Sequence, residues 1–148
     1  MVILEKQIIM GLVYADVELI NLADETLFED GYLPIEKVRS LPIRIMADSG
    51  AIRLTINESI RSQLGLRTRA AMDVLLADGT KRKLDVAGPI RIKFKERDCI
   101  TDAFVLPNNE EPLLGAVPLK LMDLIIIPSP QKLDYNPIHP DGPLYSLK

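Results

Sequence analysis

The apolar run Leu41-Pro42-Ile43-Arg44-Ile45-Met46-Ala47 stops at Asp48-Ser49-Gly50 and resumes at Ala51-Ile52. A carboxylate therefore stands at a strand end. A short hydroxyl residue and a glycine follow, so the backbone can turn tightly and approach a partner where a side chain would block it. Ordinary residue usage produces such a tripeptide by chance in roughly one chain in ten of this length. The elements that come after it carry the rest of the argument.

The spacing predicts a helix from about Thr55 to Leu64. Thr55 and Glu58 fit a capping box, Ile56, Ile60 and Leu64 recur at helical spacing, and Gly65 stands where a left-handed cap ends a helix. Met72 to Ala77 and Arg82 to Ala87 then flank Asp78-Gly79-Thr80, a turn signal between two β-type runs that predicts a hairpin. Finally, Leu113-Leu114-Gly115 leads into a short helix, Val117 to Met122, with Pro118 in its first turn. The buried-type run Leu124-Ile125-Ile126-Ile127 follows.

In this order the elements resemble the retropepsin-like (clan AA) aspartic proteases, in which a D-[ST]-G loop, a flap hairpin and a hydrophobic-hydrophobic-Gly segment before a short helix succeed one another. The closer resemblance is to the small stand-alone prokaryotic type, on the strength of Met10-Gly11-Leu12-Val13-Tyr14-Ala15-Asp16-Val17-Glu18-Leu19 and the hairpin residues Leu76-Ala77-Asp78-Gly79. The similarity spans roughly Met10 to Pro137. It implies a mostly β fold, a closed β-barrel with a flap hairpin and one or two short helices. Asp48 is then the catalytic aspartate, with Ser49, Gly50 and Ala51 completing the active-site loop and Ser49 bonding across a subunit interface. Ala77, Asp78, Gly79 and Thr80 are implied at the flap over substrate, and Leu113, Leu114 and Gly115 as structural support behind the loop.

Three departures stand out. The hairpin has a single glycine at its tip, which bears on how far and how fast it opens. Serine replaces the commoner threonine in the loop. Arg53 takes a position where a small or apolar residue is usual, and either crowds the pocket or binds an acidic substrate residue.

Hydrolysing a peptide without a metal or a covalent nucleophile takes two carboxylates, one drawing a proton from water and a second, protonated one polarising the carbonyl. The chain supplies one such loop. Asp30-Gly31, Asp78-Gly79 and Asp141-Gly142 lack the intervening Ser or Thr, and no internal repeat of the loop is evident. Two-fold symmetry supplies the second aspartate, so a homodimer is expected, its two Asp48 carboxylates sharing one proton.

The 148 residues suit one domain with a genuine core. A hydrophobic fraction of 47% and a charged fraction of 26% are ordinary for a soluble globular protein. Leu124 to Ile127 is far shorter than a membrane span, and the N-terminus, with Glu5 and Lys6, lacks a signal-peptide core, so a cytoplasmic protein without a membrane partner is expected. A net charge of −3 argues against nucleic acid. Lys81-Arg82-Lys83 lies on the hairpin, while Arg91, Lys93 and Lys95 alternate with Ile90, Ile92 and Phe94. Both read first as solvated faces and second as surfaces favouring acidic peptides. Cys99 reads as a small core residue. With His139 the lone histidine, no metal cluster or Ser-His-Asp triad is expected, and no cofactor.

Gly11 to Ile20 predicts a first strand with Val13, Ala15, Val17 and Leu19 on one face. Asn21 to Arg39 reads as a polar surface insertion holding a short helix around Glu25 to Phe28. Asp102 to Leu106 continues the β pattern, and 107–112 is a loop. The expected organisation is an N-terminal extension or extra strand over 1–9, a protease domain over 10–137 and a Pro-rich extended tail over 138–148. Met10 is an alternative start. Pro128 to Lys148 reads as an ordered or frayed tail along the surface, or, more sharply, Leu144-Tyr145-Ser146-Leu147 as a substrate mimic lying in the cleft or across a neighbour. The expected function is aspartic endopeptidase; the rival is a non-catalytic dimeric peptide-binding or scaffold domain of the same fold.

Overall fold

The computed structural model describes residues 12–76, 78–128 and 131–145. The expectations for Met1 to Ile9, the alternative start at Met10, Ala77, Ser146 and Leu147 fall outside the described residues. The described residues are mostly β, with a mixed seven-stranded sheet, a two-stranded sheet and three short α-helices.

The alternation of β1 (Val13–Asn21) appears as expected: Val13, Ala15, Val17 and Leu19 are buried. α1 (Leu22–Glu29) follows, then a single 3-10 turn (Ile35–Lys37) and β2 (Ser40–Ala47). Next come β3 (Leu54–Asn57), α2 (Glu58–Leu64), β4 (Arg67–Leu75), β5 (Lys81–Phe94), β6 (Arg97–Leu106), β7 (Leu113–Leu114) and α3 (Ala116–Leu121). β8 (Leu124–Pro128) and β9 (Gln131–Tyr135) form the small antiparallel sheet.

The large sheet runs β1-β2-β7-β3-β6-β5-β4. β2–β7 and β3–β6 are parallel, the other pairs antiparallel. β1 also pairs with β5, from Glu18↔Lys93 to Asn21↔Ile90, so hydrogen bonding runs in a ring through six strands and leaves β4 outside. β5 makes this possible. A register shift between Ala87 and Ile90 divides it into a half that builds the β4–β5 hairpin and a half that closes on β1; such irregularities bend a strand and sharpen its twist. Leu19, Ile45, Leu54, Ile56, Leu64, Ile90, Ile92, Leu114 and Met122 fill the interior with no measurable exposure.

The structure corrects three expectations. Thr55 and Ile56 are strand, and the helix begins at Glu58. Asn57 is its cap: Oδ1 accepts from Ile60 N–H at 2.9 Å while Nδ2 donates to Glu110 O at 2.9 Å. Two β-branched residues buried between β6 and β7 favour extended chain over a helical first turn. The far end follows expectation, with Gly65 at φ 62° letting Leu66 N–H reach Arg61 O at 3.1 Å.

The second correction is helix number, three α-helices among the described residues rather than one or two. α1 extends well beyond Glu25 to Phe28 because Asn21 Oδ1 caps it through Asp24 N–H at 3.1 Å. The segment from Asn21 to Arg39 lies at the surface as expected, with most of 22–39 exposed, and is anchored at two points. Asn21 and Asp24 are buried. Asn21 Nδ2 donates to Leu64 O at 2.8 Å, and Asp24 receives Arg39 through Nε at 2.8 Å, Nη2 at 3.0 Å and the backbone N–H at 3.0 Å. Thirdly, Leu124 to Ile127 is only partly buried, because a two-stranded sheet has one covered face: Leu124 lies inside, Ile125 is exposed.

The Arg39 guanidinium holds the Asp24 carboxyl below its ordinary range, outweighing burial, which pushes the other way. A depressed folded value contributes stability above the unfolded carboxylate pKa of about 4 and loses it as pH falls through the folded value. Asp24→Asn is therefore expected to cost about 2 kcal/mol at neutral pH, with the difference from wild type shrinking as the solution is acidified. Urea unfolding across pH checks this; a loss that stays constant down to strongly acidic pH contradicts it.

The C-terminal residues are clasped by buried Arg97. Nη1 donates to Met122 O at 3.1 Å and Asp123 O at 2.8 Å, Nη2 donates to His139 O at 2.6 Å, and the guanidinium lies 4.0 Å over the Tyr135 ring. His139 Nδ1 pairs with Asp123 Oδ2, and Asn136 Nδ2 donates to Oδ1 of the same carboxylate at 3.0 Å. Tyr145 reaches Leu121 O on α3. Cys99 is a core residue, its thiol pushed up to about 12 by burial and by the charge of Asp98, so it stays protonated at neutral pH.

Candidate functional site

β2 delivers Asp48 to the end of the sheet, where its N–H donates to Leu114 O at 2.9 Å and so extends the parallel β2–β7 pairing by one bond. The loop then turns on its own atoms. Asp48 Oδ1 accepts Gly50 N–H at 2.8 Å and Asp48 O accepts Ala51 N–H at 3.1 Å. The start of α3 holds the loop from behind: Ala116 N–H donates to Ala51 O at 2.7 Å and Val117 N–H to Ile52 O at 2.8 Å. These are the first N–H groups of a helix, which have no partner inside it, and the loop carbonyls satisfy them.

Gly115 lets the two segments meet. A Cβ there falls 2.4 Å from Arg53 O and 2.8 Å from Ala51 O and Arg53 N, so no side chain fits. Leu114 beside it is fully buried and Leu113 pairs with both Met46 and Thr55, wedging β7 between β2 and β3.

Asp48, Gly50 and Ala51 open onto a cavity of about 440 Å³ between this loop and the β4–β5 hairpin. Its far wall is Asp73, Val74, Leu75 and Leu76; Leu84, Phe104 and Leu106 add apolar surface. Mostly apolar walls with a few polar groups are the usual makeup of a ligand site. Two other hollows of similar volume flank Glu58, one near Arg82 and Lys83, the other near Ser62 and Asn109. Both are more open and polar, and neither holds the Asp48 loop.

Asp48 is half-buried, and Ser49 beside it is exposed with a hydroxyl that bonds to no described residue. Asp78, Gly79 and Thr80 form the hairpin turn. Gly79 has φ 87°, Thr80 N–H and Oγ1 both reach Asp78 Oδ1 at 2.9 and 2.6 Å, and all three residues are exposed beyond the cavity. Bonding to the Thr80 hydroxyl and N–H holds the Asp78 carboxyl below its ordinary range. Arg53 lines the cavity with its guanidinium 5.2 Å from the Phe104 ring centroid.

Sequence reasoning did not reach Asp73 to Leu76, Leu84, Phe104 or Leu106 as cavity walls. The only available signal was the hairpin register, Leu75↔Lys81 back to Met72↔Leu84, which the turn at Asp78-Gly79 implies. Leu144 and Tyr145 do not line the cavity. Among the described residues no group of three His, Cys, Asp or Glu side chains could hold a metal ion, and no helix is long and apolar enough to cross a membrane. No protein-family model matches the chain, and a search of curated proteins likewise returned no match.

Proposed function

We propose that the chain is a retropepsin-like aspartic endopeptidase that works as a homodimer, with one Asp48 from each subunit. The observation that carries this reading is the placement of a half-buried strand-end aspartate in an apolar cavity roofed by a hairpin. The six-strand hydrogen-bonded ring is the barrel of this reading, and the β4–β5 hairpin is its flap. One Asp48 carboxylate draws a proton from water, the other donates one to the carbonyl oxygen, and the tetrahedral adduct breaks with proton transfer to the leaving amine. No metal or cofactor takes part.

The surroundings of the loop support a second copy. Ser49 is exposed, as a residue reaching across an interface is before its partner arrives. Ile52, 68% exposed, and Val117 and Leu121, one turn apart on α3, put apolar side chains around it; such side chains on one face favour association. The substrate is a peptide or protein, and the enzyme is cytoplasmic, with no nucleic-acid or membrane partner.

Arg53 inside the cavity favours the rival reading, a dimeric peptide-binding or scaffold domain without catalysis. Incubation with a diverse peptide library from mildly acidic to neutral pH, with oligomeric state recorded in parallel, separates the two. Internal cleavage by a dimer supports the endopeptidase. A folded dimer that retains peptides and cuts none supports the rival.

A further inference from the structure

We infer that Arg53 is a specificity-determining residue that selects substrates carrying a carboxylate beside the bond to be cut. The inference rests on the cavity being the substrate site of the proposed endopeptidase. Three observations converge on it. The backbone of Arg53 is held against Gly115, where Arg53 O and N lie 2.4 and 2.8 Å from the place of a Cβ, so its side chain starts from a fixed point. The guanidinium is stacked 5.2 Å from the Phe104 ring, which keeps its planar fork on the cavity wall. Among the described residues it makes no ion pair, although Asp48 and Asp73 share the cavity.

A cation on an apolar wall without a counter-charge gains when a carboxylate arrives. Water is displaced, the local dielectric falls, and two parallel N–H···O bonds form at once. Asp73 on the opposite wall repels the same group. A substrate carboxylate is therefore accepted at one end of the cavity only, with apolar side chains facing Leu75, Leu84 and Leu106 elsewhere. The carboxylate is a Glu or Asp side chain, or a C-terminal carboxylate.

The test uses octapeptides with a central Leu-Phe pair, each other position carrying Glu or Gln in turn, with the C-terminus free or amidated. They are offered to wild type, Asp48→Asn, Arg53→Ala, Arg53→Lys and Arg53→Glu, reading cleavage by mass spectrometry and binding by fluorescence anisotropy. Wild type is expected to prefer Glu over Gln about tenfold at one or two positions. The same ratio is expected in binding to Asp48→Asn. It falls to about one in Arg53→Ala and below one in Arg53→Glu, while Arg53→Lys keeps part of it and so controls for damage to the fold. A preference that needs the free C-terminus assigns the terminal carboxylate; one that survives amidation assigns the side chain.

Equal handling of Glu and Gln peptides, or a preference that survives Arg53→Ala, overturns the inference. Asp48-dependent cleavage in that case leaves the endopeptidase standing. Arg53-dependent binding without Asp48-dependent cleavage does the reverse. A protein that neither binds nor cuts any of the peptides overturns both.

Discussion

Asp48→Asn is expected to lower peptide cleavage by roughly three to four orders of magnitude, the range that general acid–base groups supply, while leaving the fold and the dimer intact. The size of the loss follows from the proposed chemistry: a neutral amide neither draws a proton from water nor shares one with its partner. The survival of the fold follows from the loop. Asp48 Oδ1 accepts Gly50 N–H at 2.8 Å, and an asparagine oxygen in the same position accepts it too. The backbone bonds from Asp48 N to Leu114 O and from Ala51 N to Asp48 O are untouched. Thermal unfolding and sedimentation of the variant check the second half of the expectation. Activity that survives with the fold intact removes Asp48 from the chemistry.

Gly115→Ala carries the largest expected cost in stability, about 3 kcal/mol, or a fall of ~10 °C in Tm for a chain of this size. The added methyl meets backbone, not flexible side-chain ends: Arg53 O at 2.4 Å, Ala51 O and Arg53 N at 2.8 Å. Those atoms have little freedom to withdraw. Ala51 O is bonded to Ala116 N–H at 2.7 Å, Arg53 leads directly into β3, and β7 is paired on both sides. Relief requires the 48–53 loop and the 113–117 segment to part, so cleavage should fall together with stability. Gly79→Ala is the useful contrast. Nothing lies within 4 Å of its Cβ, and the only cost is the strain of φ 87°, about 1 kcal/mol. Comparable losses at the two positions contradict the close-packing account of Gly115.

What was legible in the sequence was local. Val13, Ala15, Val17 and Leu19 announce β1 because one face of a half-buried strand is apolar at every second residue. Asp78-Gly79 announces the hairpin, and Gly65 the end of α2, because each needs a backbone conformation that few residues adopt cheaply. The misreadings lie where long-range contacts outweigh local preference. Thr55 and Ile56 fit a helical pattern, yet β6 and β7 take them as strand on either side. Asp24 and Arg39, fifteen residues apart, give no sign of their pairing, which the fold makes around Asn21: its Oδ1 accepts Asp24 N–H and its N–H donates to Arg39 O. Arg97 gives no sign of its role, since its three acceptors lie 25 to 42 residues away along the chain.

The candidate site divides in the same way. The Asp48-Ser49-Gly50 loop and the Leu113-Leu114-Gly115 segment are contiguous in sequence, and both can be read there. Their mutual contact depends on β7 lying between β2 and β3. The hairpin wall at Asp73 to Leu76 depends on register and on the direction in which β5 bends, which single residues do not announce.

The central claim, that one active site is built from two Asp48 residues on two chains, is tested most directly by mixing. Wild-type and Asp48→Asn chains are co-refolded at constant total concentration, and cleavage is measured against the wild-type mole fraction. If the site needs an aspartate from each subunit, activity follows the square of that fraction, about one quarter at an equal mixture. A linear decline to about one half, showing that each chain acts by itself, or a wild-type protein that cuts no peptide, contradicts the account.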